Sequence, residues 1–241
     1  MLQIKSSALL CGTLSAMSAA SIRARVRAEM TDEIKTTARR HLATDGANLS
    51  LRAVARDLGM ASSAVYRYFA SRDELLTALI IDAYDALGAT AEAAVTTGPF
   101  ADRFLAAAHA VREWALRNPH EWALIYGSPV PGYRAPADTV GSAVRVILVI
   151  AHIVADGFAA GEVEPGPPVP GPLSDELSRI AADVEMAAPP QIVARTLTGW
   201  IQLCGAVSAE LFGQLNNTID ERRAFFEFQM RSAAALIARA L

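Results

Sequence analysis

Apolar residues recur three and four positions apart along most of this chain, the period of helices with one buried face, and no stretch alternates as a half-buried strand would. The pattern is sharpest between residues 50 and 76. Leu51, Val54, Ala55 and Leu58 fall on one side of a short helix that Ser50 can cap, while Arg52 and Arg56 lie four apart on the other side. Gly59 follows the last of these apolar residues, where a residue without a Cβ can take the left-handed conformation that ends a helix, and Met60 returns the chain to the core. A second short helix starts at Ser62, buries Val65 and Phe69, and leaves Ser62, Ser63, Arg67 and Tyr68 on more open faces. Ser71 and Glu74 then have the spacing of a capping box, in front of Leu75, Leu76, Leu79 and Ile80 on one long apolar face. Two short helices joined by a glycine turn make a helix-turn-helix, a shape whose second helix fits the major groove of duplex DNA.

The same periodicity predicts helices on both sides of this motif. Upstream, a helix over Thr31–Thr44 takes Thr31 as its cap, with Asp32 and Glu33 at the positive end of its dipole and an earlier start near Arg23 as the alternative; Asp45 to Asn48 then turn. Downstream, the helix capped by Ser71 runs to about Val95, and Thr96-Thr97-Gly98-Pro99 breaks it. Helices follow over Phe100–Arg117, stopped by Asn118-Pro119, and over His120–Tyr126, ahead of a turn rich in Pro and Gly. A long apolar helix is expected over Ala137–Gly161 and a loop with five prolines over Glu162–Pro172. The remaining helices are Ser174–Met186, Gln191–Phe212 and Asp220 to about Ala240. The fold class is all-α.

Composition narrows the partners. The 241 residues are 52% apolar and 20% charged, enough for a sizeable core in one or two domains. A net charge of −3 points to no nucleic acid, but the charge is unevenly distributed. Residues 22–69 hold nine Lys/Arg against five Asp/Glu, a balance of +4, whereas residues 70–241 hold 12 against 20, a balance of −8. Positive charge gathered on the helix-turn-helix is the footprint of a DNA-binding segment joined to an acidic second one. Two cysteines, Cys11 and Cys204, make no disulfide framework and fit a reducing cytoplasm. Val144–Val154 is apolar but interrupted by Arg145 and His152, and no run reaches the ~18 residues of a membrane span. The chain lacks GxSxG, GxGxxG after a strand, GxxxxGK[ST] and HExxH, so no catalytic residue, cofactor or metal site is expected and it reads as a non-enzyme. His109 and Glu113, four apart on one helix, are more ordinary as a local polar contact than as metal ligands.

Ile34, Ala38, Leu42 and Gly46, then Val54-Ala55, Leu58-Gly59-Met60, Val65-Tyr66-Arg67-Tyr68-Phe69 and Ser71-Arg72-Asp73-Glu74-Leu75, resemble the DNA-binding domain of the TetR family of one-component bacterial transcriptional regulators. The match covers roughly residues 30 to 80 in unbroken register. Ala61 stands where the family usually has a serine cap before its recognition helix, so Ser62 is expected to cap instead, one residue later. The resemblance implies an N-terminal helix-turn-helix domain over residues 22–76 and a helical ligand-binding and dimerisation domain over residues 77–241, with the helix from Ser71 as the lever between them. Residues 1–21, with one Lys, a short apolar stretch and small residues near Ala20, look superficially like a secretory signal. Export would part a regulator from its DNA, so a disordered leader or a true start at Met17 is the preferred reading. Arg23, Arg25 and Arg27 then form either a basic arm that reaches DNA or a solvated helix face.

The implied function is a ligand-responsive repressor that binds a palindromic operator as a homodimer joined through residues 191–241. A ligand-insensitive activator or architectural protein with the same DNA domain is the alternative, and a helical enzyme a remote one. Tyr66 and Arg72 occupy positions at which the family contacts phosphates, and a phenol and a guanidinium suit that task. Ser50, Arg52, Ser62, Ser63 and Tyr68 complete the expected DNA-facing set; Arg52 suits a bidentate contact to guanine, and Arg67 the backbone. In the second domain Trp114, Trp122, Tyr126, Phe158 and Trp200, large rings among alanines, with His152 in an apolar helix, are the candidates for an effector pocket.

Overall fold

The computed structural model describes residues 19–45 and 49–239, which form eleven α-helices and one 3-10 turn with no strand among the described residues. In order these are α1 (Ala19–Asp45), α2 (Leu51–Asp57), α3 (Ser62–Val65), α4 (Arg72–Ala93), α5 (Phe100–Arg117) and α6 (Pro119–Tyr126). After the 3-10 turn Ala137–Thr139 come α7 (Val140–Ala143), α8 (Arg145–Ala159), α9 (Gly171–Asp183), α10 (Pro190–Leu211) and α11 (Arg222–Ala238). The leader expected over residues 1–21 lies outside the described residues as far as 18, as do Gly46, Ala47 and Asn48 of the expected turn.

Most of the expected helices are present, with three main differences. α1 starts at Ala19, so Thr31 is no cap: its hydroxyl donates back to the carbonyl of Arg27 at 2.8 Å, inside a helix that already continues through it. The single helix expected over Ala137–Gly161 is broken, with its two parts bent by 43°. The bend lets Arg145 reach α4, where it donates to Asp85 at 3.0 Å and to Glu92 at 2.6 Å and 2.8 Å. Its side chain there runs over Gly88, where any Cβ would stand 2.7 Å from that of Arg145. α9 begins at Gly171 rather than Ser174, because Pro172 occupies its first turn, where a missing N–H costs nothing. The proline-rich segment before it is tied down: Glu164 N donates to Ala238 O at 2.9 Å and Arg195 donates to the Glu164 carbonyl.

Two apolar cores organise the chain. The smaller joins Ile34, Ala38 and Leu42 of α1, Leu51, Val54 and Ala55 of α2, Val65 of α3 and Leu75, Leu76 and Leu79 of α4. The larger gathers Ala83, Leu87 and Ala91, further along α4, with buried faces of α5, α6, α8, α10 and α11. α4 thus belongs to both, and a rigid helix couples what it is packed into. α6 and the strap after it also reach across: Trp122 is fully buried in the larger core, while Leu124, Val130 and Tyr133 pack against the smaller. Arg39 of α1 bridges Asp82 of α4 at 2.6 Å and Glu121 of α6 at 2.8 Å, and Lys35 joins the same Asp82 at 2.9 Å. Tyr133 and Thr77 share a hydrogen bond of 2.9 Å.

Candidate nucleic-acid interface

The reading head is shaped by local chemistry. Ser50 caps α2 by accepting from Ala53 N at 3.4 Å, and α2 buries Leu51, Val54 and Ala55 while Arg52 and Arg56 face solvent. Gly59 takes a φ of +66°, and Met60 N closes the turn on the carbonyl of Ala55 at 2.8 Å. α3 follows with Ser62 as its first residue, so the cap expected of Ser62 is absent: Ala61 holds the extended cap position, with a methyl group where a hydroxyl would accept. Only Ser62–Val65 is regular helix, continued by turns in which Tyr68 N and Phe69 N both donate to Val65 O. Val65 and Phe69 anchor this element in the smaller core. Ser71 caps α4 through Glu74 N at 3.1 Å, and the Glu74 carboxylate accepts from Ala70 N at 2.5 Å rather than from the cap residue itself.

Of the residues expected to face DNA, Ser50, Arg52, Ser62, Ser63 and Arg67 are exposed, and Tyr66 is 46% exposed although it is a large ring next to a buried valine. Tyr68 differs. It is half-buried against the smaller core, and the Arg27 guanidinium lies 5.1 Å from the centre of its ring, so less of it remains for base edges. Arg72 is also partly engaged, donating through Nε to Leu49 O at 3.2 Å and through Nη1 to Asp73 at 3.3 Å. It braces the approach to α2 against α4, and one third of its side chain stays exposed.

The residues expected to bind an effector do not form one group. Trp122 and Tyr126 of α6 have ring centres 4.5 Å apart, Tyr84 of α4 meets Tyr126 edge-on at 5.9 Å, and the Trp122 indole donates to Ser208 at 3.1 Å. The Tyr126 hydroxyl is buried and no group completes a hydrogen bond with it by distance and angle. Burial, then the nearby Cys204 and Tyr84, push its pKa well up, against a smaller opposing effect of Trp200. Burial likewise pushes the Cys204 thiol up to about 12. Trp114 is buried within α5, and Phe158 and Trp200 are partly buried at the margin of the larger core. His152 is exposed, contrary to its expected place in an effector pocket: α8 buries Val146, Val149, Ile150, Ile153 and Val154, and His152 falls on the opposite side. A small, open apolar cleft lies between α8, α9 and α10 and is lined by Ile147, Leu148, Ile180, Met186, Val193 and Leu197, among others. None of the six expected residues lines it. The only sequence signal for it is the stripe Val193, Leu197, Trp200 and Cys204 on α10, which continues from the cleft toward the ring cluster.

No group of three or more His, Cys, Asp or Glu that could hold a metal occurs among the described residues. His109 and Glu113 form no such site. The His109 ring lies against Phe226 with centres 5.4 Å apart, and its buried Nδ1 has no hydrogen-bond partner. No single helix among the described residues is long and apolar enough to cross a membrane.

A capped, glycine-turned helix pair with a polar outer face, held on a larger helical body, defines the class of helix-turn-helix transcriptional regulators. The family model described as bacterial regulatory proteins, tetR family, matches residues 34–79, and the one described as tetracyclin repressor-like, C-terminal domain, matches residues 104–233. This chain belongs to the TetR family. It is 41% identical over 219 residues to the HTH-type transcriptional regulator Rv1816 of Mycobacterium tuberculosis, spanning 88% of this chain and 94% of that protein. The same figures hold for a regulator of Mycobacterium bovis. Among solved structures, the protein SCO4313 superposes with a TM-score of 0.74 at 36% identity, covering 88% of this chain and 98% of that one. RolR, solved with its ligand resorcinol, shares the fold at a TM-score of 0.52 and 16% identity, covering 91% of this chain and 98% of its own.

Proposed function

We propose that this regulator is a ligand-responsive repressor that binds a palindromic operator in the cytoplasm as a homodimer. The reading rests first on the exposed polar face of α2 and α3. Arg52, Ser62 and Ser63 are the base-reading candidates, because side chains carrying donors on a rigid, capped scaffold can read the major-groove edge pattern. Tyr66, Arg67 and Arg72 serve the phosphates, Arg72 through what its brace to Leu49 leaves over, while Ser50 and Tyr68 shape the edges. The domain division proposed at residues 76 and 77 falls within α4, which gives Leu75, Leu76 and Leu79 to the smaller core and Ala83, Leu87 and Ala91 to the larger.

Dimerisation through residues 191–241 is supported by apolar residues left uncovered. Ile201 is 61% exposed, Phe228 67% and Leu236 41%, whereas Ile192, Val207 and Ile237 on the same two helices are already buried within the chain. A two-fold axis across α10 and α11 would cover the exposed set with its own copy. For the effector, the apolar cleft is the entry and the Tyr126 hydroxyl the polar contact beyond it, since an unpaired buried donor is what a ligand acceptor would satisfy. Trp122 and Trp200 flank that contact, whereas His152, exposed on the far side of α8, has no part in it. Effector binding would shift α6, which carries Trp122 and Tyr126 on one side and Glu121 and Leu124 on the other, and with it α4 and the spacing of the two reading heads.

The test is a gel shift of the full chain on the DNA upstream of its own coding sequence, followed by thermal-shift screening of small apolar compounds with one polar group. A retarded complex that a stabilising compound releases is the expected result. A folded protein that retards no upstream fragment, or whose complex no stabilising compound weakens, contradicts the repressor reading.

A further inference from the structure

We propose that the first turns of α1 make a second DNA contact, in which Arg23 binds a backbone phosphate flanking the base pairs read by α3 and Arg27 braces that contact to the reading head. The proposal rests on the DNA-binding reading above and extends it to residues outside the helix-turn-helix. α1 has 27 residues, but the side chains it packs into the smaller core begin at Met30 and continue through Ile34, Ala38 and Leu42. Ser21 to Glu29 are all exposed. About three turns, roughly 16 Å at 1.5 Å per residue, therefore project beyond the core.

They project beside the recognition element and are fastened to it. Arg27 donates through Nη2 to the Arg67 carbonyl at 3.0 Å, and its guanidinium lies over the Tyr68 ring at 5.1 Å. Both partners immediately follow α3. Arg23 lies one turn before Arg27 on the same face of the helix, about 6 Å further along. It is exposed and has no ion-pair partner among the described residues, whereas Arg25, on another face, pairs with Glu29 at 3.5 Å. Ala19 to Glu29 thus carries three arginines against one acid, in direct continuity with the exposed Tyr66 and Arg67. Ile22 and Val26 on this extension are 43% and 51% exposed, so apolar burial does not account for it. A guanidinium held in that place matches phosphate oxygens in geometry and charge, and it would add affinity without adding base information.

The experiment uses the full chain with two fluorescent duplexes, one recovered by selection from a random pool and one scrambled, titrated between 50 and 300 mM KCl. Arg23→Ala should weaken binding to both duplexes by about tenfold at 0.1 M salt and make the salt dependence shallower by about 0.9 per protomer. Arg23→Lys should restore most of the loss and Arg23→Glu deepen it, with helix content by circular dichroism unchanged throughout. Wild-type affinity and salt slope for Arg23→Ala on both duplexes would overturn the contact. A loss confined to the selected duplex would overturn its assignment to phosphate, since it would indicate base reading. If the wild-type chain binds neither duplex, the DNA-binding reading itself fails and the contact with it.

Discussion

Arg52 and Arg72 illustrate how two arginines twenty positions apart acquire different tasks from their surroundings. Arg52 stands exposed on α2 with its guanidinium turned to solvent, whereas Arg72 spends part of its donor set on Leu49 and Asp73. Arg52→Ala is predicted to relax discrimination at one operator position by about 1–3 kcal/mol, with little effect on a scrambled duplex. Arg72→Ala should weaken binding to every duplex and also lower the melting temperature, because the Leu49 carbonyl loses its donor. Competition binding and thermal melts of the two variants separate these outcomes, and equal losses for Arg52→Ala on both duplexes would move Arg52 to the phosphates. His109 gives a pH dependence. Burial first, then Arg223 and Arg112, hold its pKa below the usual histidine value against the opposing Glu227 and Glu113. The unfolded chain therefore binds the extra proton, so this contribution to stability is intact above about pH 6.5 and is lost as pH falls through the lower folded value. His109→Phe should flatten the loss of stability between pH 7 and 5, measured by denaturant unfolding; a parallel loss in both proteins would remove His109 as its source. The residue scale was the least legible in sequence. Tyr68 and His152 were both expected to reach a partner: Arg27 covers part of one, a contact that spacing does not carry, whereas the outward turn of the other follows from the spacing of Val146, Val149, Ile150, Ile153 and Val154.

The elements themselves were legible where their signals are local. The Ser50 and Ser71 caps, the glycine turn at Gly59 and the proline stop before α6 operate within a few residues, and each is found in place. The break between α7 and α8 was not: Gly141-Ser142 just before it is the local signal that the apolar run outweighed, and the bend serves a contact 60 positions away in sequence, between Arg145 and Asp85. Gly88 provides a test of that account. A Cβ at this position would meet the Cβ of Arg145 at 2.7 Å, and neither atom can rotate away. Gly88→Ala is predicted to destabilise the fold by about 1–3 kcal/mol despite its better helix propensity, since α4 and α8 must separate. A Gly88→Ala protein that melts at or above the wild-type temperature would show that the two helices part without cost. The effector region shows the same limit. Rings among alanines pointed to a cavity, but the cleft opens where α9 leans on α8 and α10, a packing outcome that periodicity does not encode.

At the scale of the whole molecule the central idea is that two copies, joined through α10 and α11, present two reading heads whose spacing the larger domain sets. Linking two half-site contacts converts the second into an intramolecular event, so dimerisation and tight operator binding should fall together. Phe228→Asp combined with Ile201→Asp, at positions 67% and 61% exposed, should leave the fold intact and shift the protein toward monomer in sedimentation at micromolar concentration. A double variant that stays dimeric would place the interface elsewhere. The most direct test of the account is an anisotropy titration of the wild-type protein on a palindromic duplex recovered by selection, beside a scrambled duplex of equal length at the same salt. Two chains per palindrome, bound at least about a thousandfold tighter than the scrambled duplex, is the predicted result. Equal affinity for the two duplexes, or one chain per palindrome at full affinity, would contradict it.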